Sequence, residues 1–405
     1  MRAPFCVAAL AAFIINPLIL PAAAQNAPLG AKVAVLDDMS GPYSGVNGPG
    51  NVLAARLAIE DFGGSVLGKS VELVSADDQN KPDIGLTSAR RWLDLDNVTL
   101  ITGLGNSAVA LGVRNLTRER GVVDIVSGGV SYDLTGSACS PTGFHWLHDT
   151  RSLVTGLARA VDAQSLKSWY FVTVDYTFGQ GLEREGSAAV IRSGGQVLGA
   201  TRHPFGTADY SSYMLQAQAS KAQVVALASA GSDLSNAIKG AREFGLQAGG
   251  QRIAAFAFYP TDIDALGLET SQGLITSAGF VAGLDDKTRA FTERFAARNK
   301  GVGPTANQAG VYSGVAHYLK AVRQAGTLEG LKVAEAMRAL PVNDFMSDNV
   351  AIRQDGRVMR NAYVLSVKAP GEPRFPYDYY NVLGTVPGAD AFRPLSEGGC
   401  KFATP

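Results

Sequence analysis

The sequence predicts an α/β fold built on doubly wound parallel sheets, divided into two lobes of similar size. Short apolar runs rich in Val, Ile and Leu recur along the chain, each closed by a Gly- or Ser-containing loop and followed by apolar residues at helical spacing. This alternation breaks over residues 137–150 and then restarts. The strands are too many for one twisted sheet, which favours a split.

In order, Lys32 to Leu36 makes the first strand and Asp37 to Gly45 the first loop, before a helix from about Gly50 to Asp61. A second strand, Lys69 to Ala76, ends at Asp77-Asp78, and Pro82 opens a helix with Ile84, Leu86, Trp92 and Leu93 on its apolar side. Val98 to Thr102 stops at Gly103. Val109, Val113 and Leu116 then share a helix face, and Val122 to Ser127 is the next strand. Both loops of this βαβ unit leave the carboxyl ends of parallel strands, so Gly105-Asn106-Ser107 and Gly128-Gly129-Val130-Ser131 should face one crevice. Free N–H groups at the helix start, with Asn106 or Ser107 as N-cap, suit a carboxylate. The bland alternative is that small residues simply make a tight turn.

After a crossing strand, Phe144 to Leu147, the second series begins with Trp169 to Val174, a loop over Asp175 to Gly179 and a helix from Gly181 to Arg192. Strands over Gly195 to His203, Ala222 to Ala228, Arg252 to Phe258 and Gly273 to Val281 follow, with helices over Tyr210 to Ala219 and from the Ala230-Gly231-Ser232 loop to Phe244. Helices over Asp286 to Asn299, Asn307 to Ala325 and Leu331 to Leu340 come next. Asp348 to Arg353 and Asn361 to Lys368 read as strands joined by the turn Gln354-Asp355-Gly356-Arg357, and the tail beyond Pro370 reads as irregular.

The 405 residues carry 36 basic and 36 acidic side chains with no block of one sign, so nothing calls for nucleic acid or an anionic membrane as partner. Arg2, the apolar run Phe5 to Leu20 and Ala22-Ala23-Ala24 describe a cleaved secretory signal over residues 1–24. Beyond it no run approaches the roughly 18 apolar residues of a membrane span. Cys6 lies inside the signal. Cys139 and Cys400 remain, and in an exported chain two cysteines usually pair, the alternative being two separate buried thiols.

The segments VAVLDDMSGPYSGVNG, LITGLGNSA, VSGGVSYDL, WYFVTVDYTFGQGLEREG and ANQAGVYSGVAHYLKAV resemble, in order and spacing, the leucine/isoleucine/valine-binding proteins, the type I periplasmic solute-binding proteins of ABC importers. The resemblance implies two Rossmann-like lobes joined by three crossovers near residues 147, 281 and 345. Lobe one would hold 28–147 and 282–345, and lobe two 148–281 and 346–405 with a C-terminal hairpin. It implies a periplasmic, monomeric protein that closes on a small carboxylate ligand and delivers it to a membrane permease, with no cofactor and no enzymatic reaction. The family's carboxylate-gripping loops match Asn106, Ser107, Gly129 and Ser131. Its ligand-covering aromatics match Phe178 approximately, with Tyr176 beside it, and Tyr43 lies in the corresponding loop of lobe one.

Two departures bear on the ligand. The family's amino-acid binders carry a Glu after the strand matching Arg252 to Phe258, whereas here Phe256-Ala257-Phe258-Tyr259-Pro260 has no acid before Asp262. A family tyrosine is replaced by Ala230 or Gly231. A buried ammonium without a counter-ion loses several kcal/mol. Phe178, Phe258, Tyr259, Tyr43 and Tyr176 could instead line a site for an aromatic or other organic acid, beside the family's hydrophobic amino acids.

Other chemistry is poorly supported. GLGNSA fits a dinucleotide pattern, but the acid expected about 20 residues on is missing. No serine sits in a nucleophile elbow. His145 and His148 form HxxH without a third ligand nearby, so no metal is expected. A periplasmic sensor subunit shares every feature of a transport protein, and an exported α/β enzyme would need an acid/base pair or metal in the cleft.

Overall fold

The computed structural model describes Met1, residues 30–162 and residues 166–403; the signal expected over residues 1–24 lies, Met1 apart, outside the described residues. The first lobe runs β1 (Lys32–Asp37), α1 (Gly48–Asp61), a small hairpin β2 (Ser65–Val66) and β3 (Lys69–Ser70), β4 (Glu72–Asp77), α2 (Pro82–Asp94), β5 (Leu100–Gly103), α3 (Ser107–Arg120), β6 (Val123–Val126) and β7 (Gly143–His145). Its parallel sheet has the order β4-β1-β5-β6-β7. Order reverses between β1 and β5, so the loops after those two strands diverge and leave a crevice.

The second lobe repeats the plan with α4 (Thr150–Asp162), β8 (Ser168–Val174), α5 (Thr177–Arg192), β9 (Gln196–His203), α6 (Ser211–Ala219), β10 (Val224–Ala228), α7 (Gly231–Glu243), β11 (Arg252–Ala255), α8 (Pro260–Leu266), α9 (Leu268–Ser271) and β12 (Ile275–Ala278). The chain returns to the first lobe as α10 (Asp286–Arg298), α11 (Ala306–Ala325) and α12 (Gly330–Ala339), with α11 against α1 and β5 and α12 against β6. It then crosses back as β13 (Ala362–Val367) and β14 (Tyr380–Val386), followed by the short helix α13 (Gly388–Ala391). The second sheet reads β14-β13-β12-β11-β10-β8-β9, parallel from β9 to β12 and antiparallel beyond. Its reversal lies between β8 and β10. Both sheets therefore open the same kind of crevice, at equivalent strand ends.

Local sequence explains the borders. Asn106 caps α3 by accepting from the Ala108 and Val109 amides, and Gly121, at φ +64°, ends it in the left-handed conformation. Thr305 and Gln308 form a capping box for α11, which Gly326 ends the same way at φ +65°. Strand β8 is buried from Trp169 to Val174, as expected of a central parallel strand covered on both faces. Arg114 and Asp124, both fully buried and 2.6 Å apart, pair inside the first lobe, where the guanidinium also donates to the carbonyls of Leu134 and Phe144. Loss of either partner would leave a buried charge and cost about 3–5 kcal/mol.

Several sequence expectations change. The strand expected over Lys69 to Ala76 is divided between β3 and β4, Asp348 to Arg353 forms only isolated bridges, and α4 stands where no helix was expected. Helix α5 starts at Thr177, so Phe178 and Gly179 lie in its first turn rather than in a loop. The Asp-Gly turn forms, with the Arg353 amide donating to the Arg357 carbonyl at 2.8 Å, but it caps only an isolated bridge between Ile352 and Val358. The main hairpin instead pairs β13, the strand expected over Asn361 to Lys368, with β14, which lies inside the tail read as irregular. Its prolines flank the strand rather than interrupt it. Cys139 and Cys400 form a disulfide with their Cα atoms 5.6 Å apart, which ties the segment after β14 to a loop of the first lobe.

Candidate functional site

Both crevices face each other. The wall between them is made by Tyr43, Val46, Asn47, Gly105, Gly128, Val130 and Asn307 of the first lobe and by Tyr176, Phe178, Ala230 and Tyr259 of the second. Strand ends supply most of these: Tyr43 to Asn47 follow β1, Gly105 follows β5, Tyr176 and Phe178 follow β8, Ala230 follows β10 and Tyr259 follows β11.

Several of them are the residue just before a helix. Asn47 precedes α1, Tyr176 α5, Ala230 α7 and Tyr259 α8, while Asn307 sits in the first turn of α11. Asn47, Tyr176 and Ala230 make no side-chain capping bond. Helix starts from both lobes thus point at one space, and their partial positive charge favours an anion there although no wall residue is charged.

The lobes touch across the cleft. The Tyr176 hydroxyl donates to the Tyr43 hydroxyl at 3.1 Å, and the Ser232 amide reaches the Pro42 carbonyl at 3.4 Å. Tyr43 sets its ring edge-on to Phe178 and Phe205, with centroids 6.4 and 5.1 Å away. Gly231, at φ +58°, approaches so closely that a Cβ there would lie 2.5 Å from the Pro42 carbonyl oxygen. The space left between the walls is about 20 Å³, room for about one water. A ligand therefore enters only as the lobes part.

Burial raises the pKa of Tyr43, Tyr176 and Tyr259, so all three hydroxyls stay protonated and can donate. Tyr259 is 3.4 Å from His148 Nε2. Burial, with the nearby Arg357 charge second, pushes that imidazole down to about 4, so it is neutral. Asp262, the first acid after β11, does not line the cleft. It accepts from the Tyr259 amide at 2.8 Å and the Ser235 hydroxyl at 3.0 Å. Burial lifts its carboxyl to about 7.

Of the site residues expected from sequence, Tyr43, Tyr176, Phe178, Ala230 and Tyr259 come together on the wall. Six others do not. Asn106 spends its side-chain oxygen capping α3 and turns its Nδ2 to Asn80. The Ser107 hydroxyl accepts from the Val130 amide, and the Ser131 hydroxyl from the Asp133 amide. Gly129 packs against the Leu104 carbonyl. Gly231 touches Pro42, and Phe258 is buried in the second lobe's core beside Val281 and Leu365.

The anion seat expected on loop amides also changes. The Gly105 amide donates to buried Asp37 at 2.7 Å and the Gly129 amide to the Leu104 carbonyl at 2.8 Å. The polar groups facing the cleft are instead the amides of Asn47 and Asn307, joined by a 2.8 Å bond from Asn307 Nδ2 to Asn47 Oδ1. Neither was singled out from sequence. Asn47 stands just before a helix at the sheet's switch point, a signal that was available; Asn307 arrives from 260 positions away. His145 turns its Nδ1 to buried Arg357 and takes no part in the cleft.

A family model described as "Periplasmic binding protein" matches residues 30–372. A periplasmic binding protein from Burkholderia mallei is 40% identical and superposes with a TM-score of 0.89, covering 92% of this chain and 99% of its own. A branched-chain amino acid ABC transporter periplasmic ligand-binding protein from Burkholderia xenovorans is 36% identical, with a TM-score of 0.80 over 92% of this chain and 99% of its own. An "Amino acid binding protein" from Pseudomonas aeruginosa is 25% identical over 340 residues, 80% of this chain and 89% of that protein.

Proposed function

The chain belongs to the periplasmic binding protein family, and from that premise we propose that it captures a small aromatic carboxylic acid between its lobes and presents it to an ABC importer in the membrane. The observation that carries the ligand class is a cleft walled by Tyr43, Tyr176, Phe178 and Tyr259, free of charged side chains, on which helix starts from both lobes converge. Flat rings fit between rings, and the carboxylate takes hydrogen bonds from neutral donors and the field of the helix ends. An α-amino acid would bring an ammonium for which the wall holds no carboxylate, and leaving that charge unpaired is costly.

Capture proceeds by rotation about the crossovers near residues 147, 281 and 345, which divide the chain into 28–147 with 282–345 and 148–281 with 346–405. A ligand touching both walls adds contacts only when the lobes meet, and so shifts the population to the compact state. The importer is supported by the Burkholderia xenovorans relative, described as part of an ABC transporter. That relative also favours a second reading, a branched-chain amino acid ligand.

Thermal-shift screening separates the two. Benzoate-like or cinnamate-like acids should raise the melting temperature while leucine does not, and small-angle scattering should show compaction with the same acids. A shift with leucine alone would establish the second reading in place of the first.

A further inference from the structure

We propose that Asn307 selects ligands that donate a hydrogen bond to its Oδ1, and that the captured acid therefore carries a ring hydroxyl. The inference rests on the aromatic-acid reading above and narrows it.

Asn307 is 2% exposed and lines the cleft. Its Nδ2 donates to Asn47 Oδ1 at 2.8 Å. That bond orients the amide, and its Oδ1 is left buried without a partner in the protein. A buried acceptor without a partner costs about 1–3 kcal/mol. The closed cleft leaves only about 20 Å³, so an acid is admitted as the lobes part. Held as they close, it has to supply the missing partner of this oxygen.

That partner is set by the wall. An ammonium would satisfy the oxygen but would sit among Tyr43, Asn47, Tyr176, Phe178, Tyr259 and Asn307, none of them anionic. A neutral hydroxyl gives the same bond without burying a positive charge. A site with a fixed acceptor rejects an analogue that lacks the matching donor far more strongly than an apolar pocket rejects a missing methylene.

Isothermal titration of the full mature chain with benzoate, 3-hydroxybenzoate, 4-hydroxybenzoate and 4-methoxybenzoate tests this. At least one hydroxylated acid should bind on the order of tenfold or more tightly than both benzoate and the methoxy ether. Asn307→Leu should bring that ratio close to one, whereas Asn307→Asp, which keeps an acceptor of the same shape, should retain the preference even if overall affinity falls. Equal affinities for benzoate and its hydroxylated forms in the wild type would overturn the proposal, as would an undiminished ratio in a cooperatively melting Asn307→Leu. Should Asn307→Leu not fold, loss of the preference in Asn307→Asp would overturn it. Binding of leucine with no response to any aromatic acid would remove the underlying reading, and this inference with it.

Discussion

The two walls of the cleft share a plan and differ in chemistry. Both come from five-strand parallel series with the same order reversal, and both present the residue before a helix to the gap. Yet the first lobe offers glycines and two carboxamides, Gly105, Gly128, Asn47 and Asn307, with Tyr43 at its edge, while the second offers Tyr176, Phe178 and Tyr259. Topology thus fixes where the cleft opens, and the residues at equivalent strand ends decide its chemistry: one wall carries carboxamides, the other rings.

The largest effect that tests this division comes from the acid behind the aromatic wall. The folded Asp262 carboxyl keeps its proton up to about 7, whereas an unfolded one loses it near 4. The unfolded chain therefore binds fewer protons between those values, and stability falls as pH rises through the window, by on the order of 3–4 kcal/mol for this group. Asp262→Asn, which keeps the acceptor for the Tyr259 amide, should show a smaller drop in melting temperature between pH 4 and pH 7.5 than the wild type. An identical drop would place the acid in contact with water.

The next effect lies on the opposite wall. A Cβ at Gly128 would lie 2.7 Å from Asn47 Oδ1 and 2.8 Å from the Gly105 Cα, so Gly128→Val should displace the carboxamide pair; an overpacking cost of about 1–3 kcal/mol borne by the ligand-bound state is a loss of about five- to 150-fold in affinity. Titration with the tightest-binding acid measures it; unchanged affinity would mean the first lobe does not position the ligand. The smallest expected effect is the double substitution Ser107→Ala and Ser131→Ala. Both hydroxyls serve neighbouring amides and neither lines the cleft, so affinity should change less than about twofold while the melting temperature falls, each lost bond being worth about 1 kcal/mol. A large loss of affinity would return these serines to the binding surface.

How far the site could be read in the sequence follows from the same residues. Strand-end position directs attention to Tyr43, Tyr176, Phe178, Ala230 and Tyr259, which line the cleft, because a parallel sheet sends those loops to one edge whatever their composition. At Asn106 and Ser107 it does not discriminate, because a residue able to cap a helix and a residue able to bind a ligand look alike. Asn106 does the capping and so leaves Gly105 as the surface of the cleft. Asn307 lies beyond such reasoning, since only the packing of α11 against α1 brings it to Asn47. In the fold, the alternation of strand and helix is legible through burial pattern and capping residues. Strand β14 is not, because its half-exposed edge position gives it little apolar pattern and prolines surround it.

The bond between Cys139 and Cys400 encloses a sequence separation of 261 residues, a loop long enough that closing it restricts the unfolded chain by about 5.6 kcal/mol in the chain-entropy account. Its placement also dictates an order of assembly. The link cannot be made until synthesis has passed residue 400, by which point the chain segments of every strand in both sheets have been made. Free thiols at these two positions would mark chains whose biogenesis is incomplete, and a thiol-reactive label applied under native conditions would count them.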